Sequence, residues 1–169
     1  MNLHAKLRER AAAGRPVTVG VIGAGKFGTM FLAQARLTQG LHVVGVADLD
    51  PARAHRQLAS AGWDAPRYGA ASLGAALKTG ATHVGPDAEA LIALPEIEVI
   101  IEATGVPAAG LRHALAAIAH GKHIVMVNVE ADALVGPLLA RSAQAAGVVY
   151  SLAWGDQPAL ICDHVDWAR

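Results

Sequence analysis

The hydrophobic positions of the chain fall into short runs of two kinds, and their alternation predicts a succession of strands and helices. Val17, Val19, Val21 and Ile22 form an alternating β-branched run that reads as a strand. From Lys26 the spacing turns helical, and Phe27, Met30, Phe31 and Leu37 are expected to form the core face of a helix ending near Gly40. A second apolar strand, 41–47, ends in Asp48. Asp50 as cap and Pro51 at the first helical position then begin a helix that runs to about Ser60. Ahead of all this, Leu3, Leu7 and the alanines at 11–13 predict a short leading helix behind Asn2, stopped by Gly14 and Pro16 and packed outside the sheet.

Between Gly62 and Gly85 the pattern weakens to a loop, a helical turn over 72–78 and a short edge strand over 82–84. Asp87 caps a further helix that Pro95 ends. Residues 98–102, Glu-Val-Ile-Ile-Glu, have the continuous apolar character of a buried parallel strand and run into Ala103-Thr104-Gly105. A helix over 107–120, a strand over 123–128, a helix over 132–146 and a strand over 148–152 complete the series. Strand and helix alternate without internal repeats or a low-complexity linker. The expected fold is therefore α/β, a doubly wound parallel sheet with right-handed crossovers in the order 3-2-1-4-5-6.

The first strand leads into Gly23-x-Gly25-x-x-Gly28 and then a helix. Gly23 permits the tight turn, Gly25 lets the backbone approach a pyrophosphate, and Gly28 lets the helix pack on the strand, so that the helix N-terminus meets anionic oxygens. About 20 residues further on, Asp48 stands where an acid binds the adenosine ribose. This Rossmann-type arrangement predicts a dinucleotide held by Gly23, Ala24, Gly25, Lys26, Phe27, Gly28, Asp48, Thr104 and Gly105. A carboxylate at the ribose favours NAD; NADP is the alternative, through Arg53 or Arg56, which otherwise read as solvated helix charges.

Composition narrows the function classes. At 169 residues the chain accommodates one domain with a sizeable core, and is too short for a dinucleotide domain plus a full substrate domain. Fourteen basic and fourteen acidic residues cancel, which leaves no basic surface for nucleic acid. No apolar run reaches the length of a membrane span and the N-terminus lacks a signal-peptide pattern, so no membrane partner is expected. The single cysteine, Cys162, excludes an intrachain disulfide, reads as a small, partly buried apolar side chain and fits a reducing, cytoplasmic setting.

Ligands of such a sheet bind at the C-terminal strand ends, where the chain places Thr104 and Gly105, then Asn128 and Glu130, then Trp154, Gly155 and Asp156. Asn128 and Glu130 are the candidate catalytic pair on the nicotinamide side. Each has a structural reading as well, Asn128 in an Asx turn and Glu130 at a helix start. Among eight histidines, His120 and His123 are closest in sequence, but a helix end followed by a strand does not hold both rings on one face, and no metal site is expected. His113 and His120 are expected to be exposed. Hydrolase elbows and Walker phosphate loops are absent.

The motifs VGVIGAGKFG, VADLDPARA, IIEATG and GKHIVMVNVEADALVGPLLARSAQAAGVVYSLAWGDQPA resemble the N-terminal cofactor domain of homoserine-dehydrogenase-like oxidoreductases, including deoxyxylulose-phosphate-reductoisomerase-like members, across nearly the whole chain. The resemblance implies hydride transfer to or from a small hydroxy or carbonyl substrate. A reductoisomerase-like NADPH enzyme is one alternative within the resemblance, and a non-catalytic dinucleotide-binding or redox-sensing module is the alternative outside it, against which the resemblance favours the enzyme. Val129 stands where homoserine dehydrogenases and reductoisomerases carry a lysine, whereas Asn128 and Glu130 match the reductoisomerase pattern. Family members continue into a substrate-binding, dimer-forming region. The chain is accordingly expected to be a fragment that binds the dinucleotide without turnover, with homo-oligomerisation belonging to the full-length protein.

Overall fold

A computed structural model describes the backbone of residues 2–153 and 157–169, and their side chains apart from 157–160 and 163. The leading helix α1 (Leu3–Ala12) is capped by the Asn2 side chain. It precedes β1 (Val17–Ile22), α2 (Lys26–Ala35), β2 (Leu41–Ala47), α3 (Pro51–Ser60) and a 3-10 turn (Ala65–Tyr68). The chain continues through α4 (Leu73–Thr79), β3 (His83–Gly85), α5 (Ala88–Ala93), β4 (Val99–Glu102) and α6 (Pro107–Ala119), then β5 (His123–Met126), α7 (Val129–Ala145), β6 (Tyr150–Leu152) and α8 (Gln157–Ala168). All six strands are parallel, in the expected order β3-β2-β1-β4-β5-β6.

Helices cover both faces of the sheet, which is why its central strands are apolar along most of their length. On one face Ile22, Val44, Ile100, Ile124 and Met126 pack with Leu91 and Ile92 of α5, Ala114 and Ala117 of α6 and Leu139 of α7. On the other, Val19, Val21, Val43, Val46 and Ile101 meet Leu32 and Ala35 of α2 and Ala54 and Leu58 of α3, closed by Trp63, whose indole N–H donates to the Leu32 carbonyl at 2.9 Å. Helix α1 lies outside this packing with no buried residue. Arg10 anchors it to the bottom of the sheet by gripping both oxygens of Glu98 at 2.8 and 2.9 Å.

Several local expectations are corrected. The buried face of α2 is Gly28, Leu32 and Ala35, whereas Phe27, Met30 and Leu37 are exposed and Phe31 is half-buried. The helix sits so close to the strands that small residues make the contact. Helix α7 begins at Val129 instead of 132, because the Asn128 side chain caps it by accepting from Ala131 N at 3.1 Å. Cys162 is exposed on α8.

Candidate functional site

Parallel pairing brings the ends of β2, β1 and β4 to one level, with Ile22 in register with Ala47 on one side and Glu102 on the other. Leaving β1, the chain turns at Gly23, whose φ of +99° suits glycine; a Cβ there would lie 2.7 Å from the Ala103 carbonyl oxygen. A Cβ on Gly28 would run into the Gly23 carbonyl oxygen, so these two glycines serve the turn and the seating of α2. Gly25 differs, because a Cβ there would meet nothing within 4 Å. The space beside it belongs to a cleft of about 720 Å³, lined by Gly23, Gly25, Asp48, Arg53, the start of α5, Ala103, Thr104 and the first half of α6.

Two helices open onto this cleft with their N-termini, α2 after β1 and α6 after β4, and neither has a side-chain cap. Helices α1, α3, α4, α5 and α7 each have one, from Asn2, Asp50, Ser72, Asp87 and Asn128. An uncapped helix start leaves N–H groups unspent and its positive dipole end bare, an arrangement suited to phosphate oxygens. With the open space at Gly25, it fits a dinucleotide pyrophosphate.

At the end of β2, Asp48 is 6% exposed and its carboxylate is saturated. Oδ2 accepts from Ala24 N at 2.8 Å, Oδ1 from Asp50 N at 2.9 Å, and Arg53 Nη2 lies 2.9 Å from both oxygens. Burial alone would raise its pKa, but the backbone N–H groups of Asp50 and Ala24 and the Arg53 guanidinium together hold it below the ordinary aspartate value. The expectation that Arg53 is a solvated helix charge is corrected: Asp50 and Pro51 start α3 so tightly that Arg53, one turn in, reaches back over the strand end. Arg56 remains mostly exposed, 3.9 Å from Asp50.

At the end of β4 a second carboxylate, Glu102, is fully buried. Its Oε1 accepts from Thr104 Oγ1 at 2.6 Å and faces His113 Nδ1 at 3.2 Å, while Oε2 has no partner among the described residues. His113 was expected to be exposed; it is 5% exposed instead, because the face of α6 that meets the sheet is Gly110, His113, Ala114 and Ala117. Thr104 Oγ1 accepts in turn from Asn128 Nδ2 at 3.3 Å and from Val106 N at 3.3 Å. Beyond this network Tyr150 donates to Asp132 at 2.7 Å, and burial first, then that carboxylate, pushes the phenol far above its ordinary value.

The structure thus gathers Gly23, Gly25, Asp48 and Thr104 at the cleft, with Ala24 bound to Asp48 behind the turn, Gly28 buried beneath it and Gly105 beside Thr104 at φ +68°. Lys26 and Phe27 are exposed on the first turn of α2, and their side chains do not line the cleft. Asn128 is 1% exposed and fully engaged, since it also donates to the Val106 carbonyl at 3.0 Å. Glu130 is exposed on the first turn of α7, and neither residue lines the cleft. Trp154, Gly155 and Asp156 lie outside the described residues. Sequence reasoning missed Glu102 and His113; the signal for His113 was its place on the 110-113-114-117 stripe of small residues. Among the described residues no His, Cys, Asp and Glu side chains group as metal ligands, and no helix is long and apolar enough to cross a membrane.

Solved structures with the same fold include an NAD-binding oxidoreductase from Klebsiella pneumoniae, 23% identical over 90% of this chain and 39% of that one, with a TM-score of 0.60. A homoserine dehydrogenase from Thiobacillus denitrificans is 23% identical over 82% of this chain and 29% of that one, with a TM-score of 0.62. A biliverdin reductase from Synechocystis, in complex with biliverdin and NADP+, is 20% identical over 81% and 37%, with a TM-score of 0.60. The chain therefore spans well under half the length of these structures. No curated protein gives a significant match. The model of the family described as homoserine dehydrogenase, NAD binding domain, matches residues 19–152, and this chain belongs to that family.

Proposed function

We propose that this chain is the nicotinamide-dinucleotide-binding domain of an oxidoreductase that transfers hydride to or from a small hydroxy or carbonyl compound. The observation that carries the reading is the pair of uncapped helix N-termini at the switch point between β1 and β4, beside the open face of Gly25. When bound, the nicotinamide would give the hydride to a carbonyl substrate or accept it from a hydroxy one. The chain's own residues bind and orient it: the first turns of α2 and α6 take the pyrophosphate and Asp48 takes the adenosine ribose. Asn128 is a positioning residue that holds Thr104 and Val106 on the nicotinamide side. Glu130, exposed at the start of α7, is the group available to a substrate there. Turnover needs the substrate aligned with the cofactor carbon, which this domain leaves to other parts of the enzyme.

Asp48 supports NAD as the preferred cofactor, because a 2'-phosphate placed beside it meets a like charge. The counterweight is Arg53, already seated on that carboxylate, so the expected preference is about 1 kcal/mol, the scale of one moderately screened charged contact. Calorimetric titration of the chain with NAD, NADH, NADP and NADPH tests both statements. Saturable binding of all four, several-fold tighter for NAD and NADH, is the expected result. A folded chain giving no heat with any of them overturns the reading.

A further inference from the structure

Helix α6 lines the cleft with Val106, Ala109, Arg112 and His113. Of these, His113 is the one whose side chain is held from behind by a buried carboxylate. Its ring is 6% exposed, and Nδ1 faces Glu102 Oε1, so Nδ1 carries its hydrogen toward the carboxylate and Nε2 is left as the ring's unengaged position among the described residues. The support behind it is itself fixed. Glu102 is 0% exposed at the strand end, and the same oxygen takes the Thr104 hydroxyl, whose acceptor sites are filled by Asn128 and Val106. Every link in this chain of hydrogen bonds has one direction, and together they set the aim of His113 and Thr104 from a single carboxylate.

Such an arrangement is a poor device for stability. A carboxylate buried with one bare oxygen, Oε2, loses more to desolvation than two hydrogen bonds return, and an apolar residue in its place packs against Ile22 and Met126 without that loss. What the carboxylate provides is a fixed tautomer and a fixed ring orientation, the service that an acid behind a histidine performs wherever the other ring nitrogen meets a ligand. The ligand group that suits Nε2 is a hydroxyl, since it donates to a bare nitrogen and accepts from a protonated one, whereas a phosphate oxygen does only the second.

Resting on the reading of this cleft as the dinucleotide site, we propose that His113 binds a ribose hydroxyl of the cofactor through Nε2, and that Glu102 is the positioning residue that aims it. The test is ring-nitrogen NMR of the chain labelled with 15N-histidine, titrated with NADH, alongside NADH affinity for two variants. His113→Asn keeps a donor where Nδ1 was and removes Nε2; His113→Gln keeps a polar group near Nε2 and leaves Glu102 with the Thr104 hydroxyl alone.

The expected result is a shift of the His113 Nε2 resonance on saturation with NADH, identified by its loss in His113→Asn. NADH affinity falls about tenfold in His113→Asn and about threefold or less in His113→Gln, even though the latter unfolds at a lower temperature. A purely structural role predicts the opposite ranking. NADH binding with an unmoved Nε2, or equal affinity of His113→Asn and the unmodified chain, overturns this inference alone. Failure of the unmodified chain to bind NADH overturns the dinucleotide reading and this inference with it.

Discussion

Two carboxylates stand at the same level on either side of β1, Asp48 one residue past the end of β2 and Glu102 at the end of β4, and they are held in opposite ways. Asp48 has four hydrogen-bonding contacts spread over both oxygens, one pair of them from an arginine whose side chain is 49% exposed. Glu102 has two partners crowded on one oxygen, both from within the wall of the cleft, and none on the other among the described residues. The first acid can exchange a partner for a ligand without uncovering itself, because Arg53 is long and half in water. The second is 0% exposed and has no such long, half-exposed partner to give up among the described residues. A strand-end acid therefore does not announce its role by position; the mobility of its partners decides it.

The sharpest way to break this comparison is to remove each acid in turn. Glu102→Ala strips His113 Nδ1 of its carboxylate partner and Thr104 of one of its partners, and opens a void against the sheet. A loss of about 3 kcal/mol is expected, the scale of breaking a buried pair, which lowers the melting temperature by roughly 10 °C in a chain of this size. Asp48→Ala leaves Arg53 free to enter water and uncovers two backbone N–H groups beside an open cleft, and is expected to cost about 1 kcal/mol. Urea unfolding of both variants checks the difference. Equal losses would mean that Asp48 is as much a part of the frame as Glu102.

The acid that was legible in the sequence is the one at a position defined by the chain's own grammar, after the glycine turn and at the end of an apolar strand. The sheet order was legible for the same reason, since strand and helix periods alternate cleanly through β1, β2, β4 and β5. Glu102 was hidden because it closes a run, Val-Ile-Ile-Glu, whose apolar character speaks for the strand and not for its last side chain. His113 was misplaced because α6 is apolar around much of its circumference and its packing face is marked by Gly110, Ala114 and Ala117 instead of large residues. The same error placed Phe27 and Met30 in the core while Gly28, Leu32 and Ala35 made the contact. In an Ala- and Gly-rich layered fold, close helix–sheet packing selects small residues, so size misleads where spacing does not.

A smaller effect sharpens the electrostatic side of the contrast. Asp48 and Glu98 both have pKa values below the ordinary 3.8 and 4.5, because hydrogen bonds from Asp50 N, Ala24 N and Arg53 in one case, and from Arg10 and Thr18 N in the other, outweigh the upward push of burial. The folded chain then binds fewer protons than the unfolded chain around pH 4. The stability these groups contribute is complete above their unfolded values and is lost as pH falls through the lower folded ones. Urea midpoints are expected to hold level down to about pH 5 and to fall between about pH 5 and 3. Asp48→Asn should flatten part of that fall. An unchanged slope in Asp48→Asn would remove Asp48 from the account and leave Glu98 to carry it.

The smallest effect falls on Arg53, and it tests whether the mobile partner is the one that yields. An ionised carboxylate offers about four lone-pair sites, and at Asp48 they are taken by Ala24 N, Asp50 N and the two contacts of Arg53. A ribose diol needs two of them. The backbone groups belong to the glycine turn and the start of α3 and cannot leave, so a diol bound there is expected to displace Arg53, at the cost of a half-exposed ion pair worth about 1 kcal/mol. Arg53→Ala removes that competition, and NAD should bind up to about fivefold more tightly. NADP is affected in the other direction. On the proposed reading, the guanidinium of the unmodified chain is expected to turn out beside the 2' position and to offset the charge of Asp48 against the phosphate. Without it, NADP meets the carboxylate alone and should bind about fivefold to tenfold more weakly. The ratio of the two affinities therefore widens while the melting temperature falls by only a few degrees. Parallel weakening of both cofactors would make Arg53 a general attractor for anions, and an unchanged ratio would mean that the adenosine ribose does not reach Asp48.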